Sequence, residues 1–181
     1  MRTCRAATAG KLTVVLATLV LLAAACGSSG PSPRAWAASV CTALSPWRAE
    51  ISKLTSSTNE QMTAQTTPAQ AKENLVRLFA GAEEASETAR LKVEQAGVPK
   101  VEQGEEVSVG FRAALASMRD AYGRARTTID GLGIGEAGAF YDGVRSAVET
   151  LQQEYDASAL DTSRLNSEEL KRAFDEVPEC R

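Results

Sequence analysis

Cysteines are the residues of this sequence best suited to chemistry, and they stand at positions 4, 26, 41 and 180. A thiol can pair with a second thiol, can be acylated, or can bind a metal as the thiolate. Histidine, the usual general base and the commonest transition-metal ligand, does not occur in the sequence. Modification and cross-linking of cysteine are therefore better supported by the residue types than catalysis or a metal centre.

Cys26 follows a short apolar segment. Residues 12–22 are almost all apolar and 23–25 are alanines, while three basic residues and no acidic one come before them. This order is typical of a secretory signal peptide. As a helix, residues 12–25 would span only about 21 Å, less than the roughly 30 Å hydrocarbon core of a bilayer. We therefore do not expect a permanent transmembrane helix here.

The residues Leu22-Ala-Ala-Ala-Cys26 resemble the lipobox of bacterial lipoproteins, although Ala23 occupies the position where leucine is usual. The resemblance covers the first 26 residues. It implies cleavage before Cys26, modification of Cys26 with lipid including palmitate, and export to the extracytoplasmic face of the cell membrane, where the lipid anchors the protein. The alternative is a plain secreted protein with a cysteine near its cleavage site.

The remaining thiols are expected to form a disulfide. Cys4 lies in the segment that cleavage would discard, which leaves Cys41 and Cys180 as an even pair. An exported protein meets an oxidising environment, where such pairs are usually bonded. Two free thiols are the alternative, and a metal site would need further ligands that no motif provides.

Length and charge limit the class of protein. Removing residues 1–25 leaves 156, enough for one domain with its own core. The removed segment has three positive charges and no negative ones, so the net charge of −3 becomes −6. An acidic domain without a basic stripe is poorly suited to nucleic acid or to anionic lipid head groups. We expect a signal peptide over 1–25, a lipidated cysteine and flexible tether over 26–34, and a folded domain over 35–181.

Apolar periodicity predicts helices throughout that domain. The first is predicted over 35–54, and Pro46 within it either kinks one helix or starts a second. Because the apolar positions keep their phase across Pro46, we favour one kinked helix, followed by a loop over 55–66. Its apolar face comprises Trp36, Val40, Leu44, Trp47, Ile51 and Leu54.

Four more helices follow. Thr67, Pro68 and Gln70 form the start signal of the second, which ends before Gly97. The third contains the clearest stripe: Val107, Phe111, Leu115, Met118, Tyr122, Ala125, Ile129 and Leu132. The fourth is predicted to have Phe140, Val144, Val148, Leu151 and Tyr155 on one face. A short fifth helix, over 167–176, begins near a capping-box-like Asn166-Ser-Glu-Glu169.

No alternating strand pattern occurs in the sequence. The predicted fold is all-α: a mostly antiparallel four-helix bundle with a short C-terminal fifth helix, pinned by one disulfide between Cys41 and Cys180. Three short motifs also resemble small exported helical lipoproteins of actinobacteria. This resemblance implies no particular activity. The motifs are Trp36-x3-Val40-Cys41, Ala96-Gly97-Val98-Pro99, and Leu170-x2-Ala173-Phe174 with Pro178-Glu179-Cys180.

Possible ligand contacts are few. Trp36 and Trp47 are eleven residues apart on one helix face and could stack on a sugar, although their place on the apolar stripe favours core packing. Residues 133–138 match the glycine spacing of dinucleotide-binding turns, but a helix precedes them instead of a strand, which indicates an interhelical loop. The neighbouring pairs Glu83-Glu84 and Glu105-Glu106 point about 100° apart on a helix and indicate solvated surface.

The sequence therefore predicts a protein that is not an enzyme and holds no cofactor and no metal. The expected function is that of a lipid-anchored binding or interaction module of the cell envelope. Its expected partners are the membrane, through the anchor, and an envelope protein or lipid. The alternative is a carrier that holds an apolar small molecule, such as a lipid, between its helices.

Overall fold

The computed structural model describes residues 30–158 and 166–181, and within them the chain forms five α-helices and no strand. Helix α1 is Pro33–Gln61, α2 is Pro68–Gln95, α3 is Gly104–Asp130, α4 is Ala137–Ser158 and α5 is Glu168–Glu176, followed by a 3₁₀ turn at Pro178–Cys180. The predicted all-α class is confirmed. The predicted signal peptide over 1–25, the predicted lipidation site Cys26 and residues 27–29 of the predicted tether lie outside the described residues.

Side chains at the helix ends explain where several helices begin. The Ser32 hydroxyl accepts a hydrogen bond from the amide of Ala35, with Pro33 at the first helical position. Thr67 and Gln70 form the predicted capping box of α2. Helix α5 is capped by Ser167, one residue later than the predicted Asn166, because the Ser167 hydroxyl accepts from the amide of Leu170.

Contacts between helices show an antiparallel order. Helices α2 and α3 form the most extensive pair, with Glu83 of α2 bonded to Arg126 of α3 and Glu87 bonded to Arg119. Helix α1 packs on α2, α4 packs on α3, and α5 packs on α1 together with the terminal 3₁₀ turn. This packing is that of the predicted bundle, with α2 and α3 at its centre.

The core lies along the inner faces of the first three helices. An aromatic cluster closes one end: the ring of Trp36 meets Phe111 edge-on at 5.3 Å between centroids, and Phe111 stacks on Phe174 at 5.8 Å. Through Phe174, α5 contributes to the same core as α1 and α3. The other large core residues are Val40, Leu44, Trp47, Leu75, Phe79, Val93, Leu115, Met118, Tyr122, Ile129, Leu170 and Val177.

The predicted disulfide is present. Cys41 of α1 and Cys180 of the 3₁₀ turn are bonded, with 5.0 Å between their Cα atoms. Because the two residues are 139 positions apart, this bond closes a loop of nearly the whole domain. It holds the end of the chain against the first helix, as the sequence indicated.

Helix α1 differs from its prediction at both ends. It begins at Pro33 and continues to Gln61, so most of the predicted loop over 55–66 is helical. Polar side chains make this extension possible: the Thr55 hydroxyl donates to the carbonyl oxygen of Ile51, and Thr58 is buried. Pro46 lies inside this single helix.

The predicted tether is also shorter, since the amide of Lys100 donates to the carbonyl oxygen of Pro31 at 2.9 Å.

Helix α4 presents its apolar residues differently from the prediction. Phe140 is buried, together with Ala147, whereas Val148 and Tyr155 are 43% exposed. Val144 and Leu151 are half-buried against the core, so the face predicted from the sequence is divided between core and surface. Among residues 30–158 and 166–181, α4 packs mainly on one neighbour, α3, which covers one flank of this broad apolar face.

Candidate functional site

The two tryptophans singled out in the sequence occupy different environments. Trp36 is fully buried in the aromatic cluster, and its indole N–H donates to the carbonyl oxygen of Gly97 at 2.9 Å. Trp36 therefore lies in the core and faces no open ligand site. Gly97 has a φ of 72°, in the left-handed region that glycine adopts without strain, which lets its carbonyl reach the core.

Trp47 lies at the edge of an open cleft between α1 and α2. Its indole N–H donates to the hydroxyl of Ser86 at 3.0 Å, and that hydroxyl donates to the carbonyl oxygen of Ala82. The polar atom of Trp47 is thus already satisfied by the protein. A ligand in the cleft would therefore contact the apolar part of the Trp47 ring.

The cleft beside Trp47 has a volume of about 370 Å³. Small residues line it (Ala43, Gly81, Ala85, Thr88 and Ala89), and charged residues stand around them (Glu50, Glu84 and Lys92). This volume falls at the lower end of the range for small-molecule sites. Of the residues that line this cleft, the sequence pointed only to Trp47 as a possible ligand contact.

A second feature is the partly exposed apolar face of α4, which we call the α4 seam and define as Tyr141, Val144, Val148, Leu151 and Tyr155. These positions are separated by steps of 3, 4, 3 and 4, the spacing of a two-helix contact. Tyr141, Val148 and Tyr155 are 37%, 43% and 43% exposed, and Val144 and Leu151 are half-buried. Val144 and Leu151 also pack against the core, so the part of the α4 seam that lies at the surface consists of Tyr141, Val148 and Tyr155.

Charged residues form structural pairs between α2 and α3. Glu87 accepts hydrogen bonds from Arg90 of its own helix and from Arg119 of α3, each at 2.7 Å. These hydrogen bonds lower the pKa of the Glu87 carboxyl from 4.5 to about 2. Since both arginines are held by this carboxylate, the cluster is built to join two helices.

The acidic pairs do not converge on a common point. Glu83 bonds to Arg126 across the α2–α3 contact, whereas the neighbouring Glu84 is exposed beside the α1–α2 cleft. Glu105 and Glu106 lie in the first turn of α3, where the helix dipole favours negative charge. Among residues 30–158 and 166–181, no group of three acidic or cysteine side chains is arranged to hold a metal ion.

The glycine-rich segment connects α3 to α4, as predicted for an interhelical loop. The carboxylate of Glu136 accepts hydrogen bonds from the amides of Gly138 and Ala139 at the start of α4. Those amides are the groups that a phosphate would use at a helix N-terminus. The loop therefore lacks the geometry of a dinucleotide site.

Within the part of the chain that the structure describes, no helix is both long and apolar enough to cross a bilayer. Comparisons of this chain with protein-family models, with curated proteins and with solved structures found no match. The α1–α2 cleft and the α4 seam are accordingly the two candidate binding surfaces on which a function can be argued.

Proposed function

We propose that this chain is a lipid-anchored, non-catalytic interaction module on the extracytoplasmic face of the cell membrane. The observation that best supports the interaction role is the α4 seam. Exposed apolar patches commonly mark sites where another protein binds, and Tyr141, Val148 and Tyr155 are exposed in one row along α4. Burying this row would contribute about 25 cal/mol for each Å² of apolar surface removed from water.

The proposed anchor rests on the lipobox-like segment that ends at Cys26. The fold is compatible with such an anchor, because Pro31 is held against the loop between α2 and α3. Only the few residues between Cys26 and Pro31 would separate the lipid from the domain, and they span at most about 17 Å. This arrangement would keep one end of the bundle close to the membrane.

The anchor is tested by replacing Cys26 with serine and fractionating the host cells. We expect the Cys26→Ser chain to leave the membrane fraction, since no thiol remains to accept the lipid. The Cys4→Ser chain is the matched control and should stay membrane-bound. Retention of the Cys26→Ser chain in the membrane would contradict the anchor.

The interaction role is tested by placing a photo-crosslinking residue at Val148 in the full chain within its native envelope. We expect a reproducible crosslinked species, because Val148 lies at the centre of the α4 seam. Ser146 is the control, as it is exposed on the same helix about 160° away around the axis. Equal crosslinking from both positions, or none from Val148, would count against the seam as a binding site.

The second proposed function is a carrier for an apolar small molecule, which the α1–α2 cleft favours. The cleft offers an aromatic edge at Trp47 and a wall of small residues. Adding a long-chain fatty acid should then raise the melting temperature of the chain. An Ala85→Phe change, which fills the cleft, should remove this rise, whereas Ala113→Phe on the exposed side of α3 should preserve it. An unchanged melting temperature of the parent chain would contradict this role.

A further inference from the structure

The two walls of the α1–α2 cleft run in opposite directions. Trp47 of α1 bonds to Ser86 of α2 at 3.0 Å, and two turns farther along α1 the side chain of Leu54 packs against Gly81. A Cβ atom at Gly81 would lie 2.9 Å from that side chain, so the helices are close at this level. Because residue numbers rise along α1 while they fall along α2, these contacts show which residues of the two walls are level with each other.

Charges of opposite sign line the two ends of the cleft. Glu50 of α1 and Glu84 of α2 are level with each other in this register, and we call their position the carboxylate end. Glu50 also accepts a hydrogen bond from the exposed Lys53 of its own helix at 3.3 Å, and Glu84 is exposed. Lys92 lines the cleft eight residues along α2, about 12 Å from the level of Glu84, and forms the lysine end.

The carboxylates of the cleft are not used to join its walls. On the other side of α2, Glu83 bonds to Arg126 and Glu87 bonds to Arg119, so carboxylates there are matched by arginines of α3. Among residues 30–158 and 166–181, by contrast, no salt bridge joins α1 to α2. A cation that enters the carboxylate end can therefore pair with groups from both walls.

Between its charged ends the cleft is apolar. Ala43 and the edge of Trp47 line it from α1, and Ala85 and Ala89 line it from α2. Their side chains have no polar group free to bind a ligand, since the indole N–H of Trp47 is bonded to Ser86. The middle of the cleft thus suits a methylene chain, and its ends suit two charges of opposite sign.

We infer that the ligand of the α1–α2 cleft is an elongated zwitterion with an apolar chain between its charges. Its ammonium group lies at the carboxylate end, and its anionic group lies at Lys92. This inference rests on the carrier role proposed for the cleft and names the class of molecule carried. Exposed ion pairs contribute little affinity each, so burial of the chain supplies most of the binding, and the charges select the ligand and its direction.

The test compares three probes with the same chain length: 8-aminooctanoic acid, octanoic acid and octylamine. Equilibrium dialysis measures their binding to host membranes that contain the full chain, with membranes lacking the chain as the blank. The two charges of extended 8-aminooctanoic acid are about as far apart as the two ends of the cleft. We expect it to bind about two- to five-fold more tightly than either probe with a single charge.

Two substitutions at exposed positions assign each charge to one end of the cleft. Glu84→Gln should weaken 8-aminooctanoic acid and octylamine about two- to five-fold and leave octanoic acid unchanged. Lys92→Gln should weaken 8-aminooctanoic acid and octanoic acid to a similar extent and leave octylamine unchanged. Glu60→Gln and Lys100→Gln are the matched controls, because both residues are exposed outside the cleft. Equal losses in a variant and its control would overturn the assignment.

Other outcomes separate this inference from the carrier role itself. Octanoic acid that binds as tightly as 8-aminooctanoic acid, and is lost in Ala85→Phe, would overturn the zwitterion and keep the apolar carrier. Absence of 8-aminooctanoic acid binding to the parent chain would also overturn this inference. If a long-chain fatty acid in addition left the melting temperature unchanged, the carrier role would fail with it.

Discussion

The indole nitrogen of Trp36 lies 2.9 Å from the carbonyl oxygen of Gly97, although the two residues are 61 positions apart. The hydroxyl of Ser108 donates to the same oxygen at 3.0 Å. One backbone carbonyl thus joins the start of α1 to the first turns of α3. The left-handed conformation of Gly97 makes this possible, so the glycine does more than end α2.

The buried hydrogen bond between Trp47 and Ser86 leads to the first prediction. Ser86→Ala leaves the indole N–H of Trp47 without its acceptor in the core, which should lower the free energy of unfolding by about 1–3 kcal/mol. Denaturant unfolding measures the loss. Ser39→Ala is the control, because Ser39 is exposed and its removal leaves no buried donor without a partner. Equal losses of unfolding free energy in both variants would show that the buried hydrogen bond of Trp47 stabilises the fold no more than the exposed hydrogen bond of Ser39.

Glycines of α3 provide a matched pair for the second prediction. A Cβ atom at Gly104 would overlap the carbonyl oxygen of Pro99, whereas a Cβ atom at Gly110 would meet nothing within 4 Å. Gly104→Ala should therefore lower the melting temperature, and Gly110→Ala should raise stability by about 0.5–1 kcal/mol through helix propensity. Thermal unfolding followed by circular dichroism tests both. Changes of the same sign would contradict the close approach at Gly104.

Loss of the disulfide is the basis of the third prediction. In the chain-entropy model, a closed loop as long as that between Cys41 and Cys180 stabilises the fold by about 4–5 kcal/mol. Denaturant unfolding of the Cys41→Ser/Cys180→Ser chain should show a loss of this order, and the parent chain should match it once reduced. Unchanged stability on reduction would mean that α5 is held by packing alone.

Acid should weaken the contact between α2 and α3 at Glu87, which is the fourth prediction. The pKa of this carboxyl falls from 4.5 to about 2 in the folded protein. Its contribution to stability is therefore fully present above about pH 4.5 and is lost as the pH falls toward 2. Glu87→Gln should flatten the stability curve across this window, and the exposed Glu84→Gln should leave it unchanged. Parallel curves for the parent and Glu87→Gln chains would contradict the shift.

Local rules predicted most of the helices correctly. The capping box at Thr67 and Gln70, the long stripe of α3 and the pairing of Cys41 with Cys180 could all be read from spacing and residue type. The capping box and the stripe depend on residues that are close together along the chain. The disulfide could be predicted because the predicted domain contains two cysteines. The end of α1 was missed because serines and threonines favour loops, whereas here the segment is helical and the Thr55 hydroxyl bonds to the preceding turn.

The candidate site could be predicted only in part. Periodicity identified α4 as amphipathic, but its apolar face is wider than the contact that α3 provides. A sequence pattern shows which residues share a face, and it does not show how a neighbouring helix is placed across that face. For this reason the sequence placed Val148 and Tyr155 on one face with Phe140 but did not show that they lie at the surface while Phe140 is buried.

By itself, the sequence determined the all-α class, the order of the helices and the covalent bond that closes the domain. Those properties follow from hydrophobic period, capping residues and cysteine pairing, which act over short separations or through a single bond. Only the tertiary structure decided that Trp36 bonds to Gly97, that Glu87 bonds to Arg119, and that one edge of the α4 seam is exposed. The two hydrogen bonds join residues that are far apart along the chain, so they depend on how whole helices are placed against one another. The exposure of α4 depends on which part of its apolar face a neighbouring helix covers.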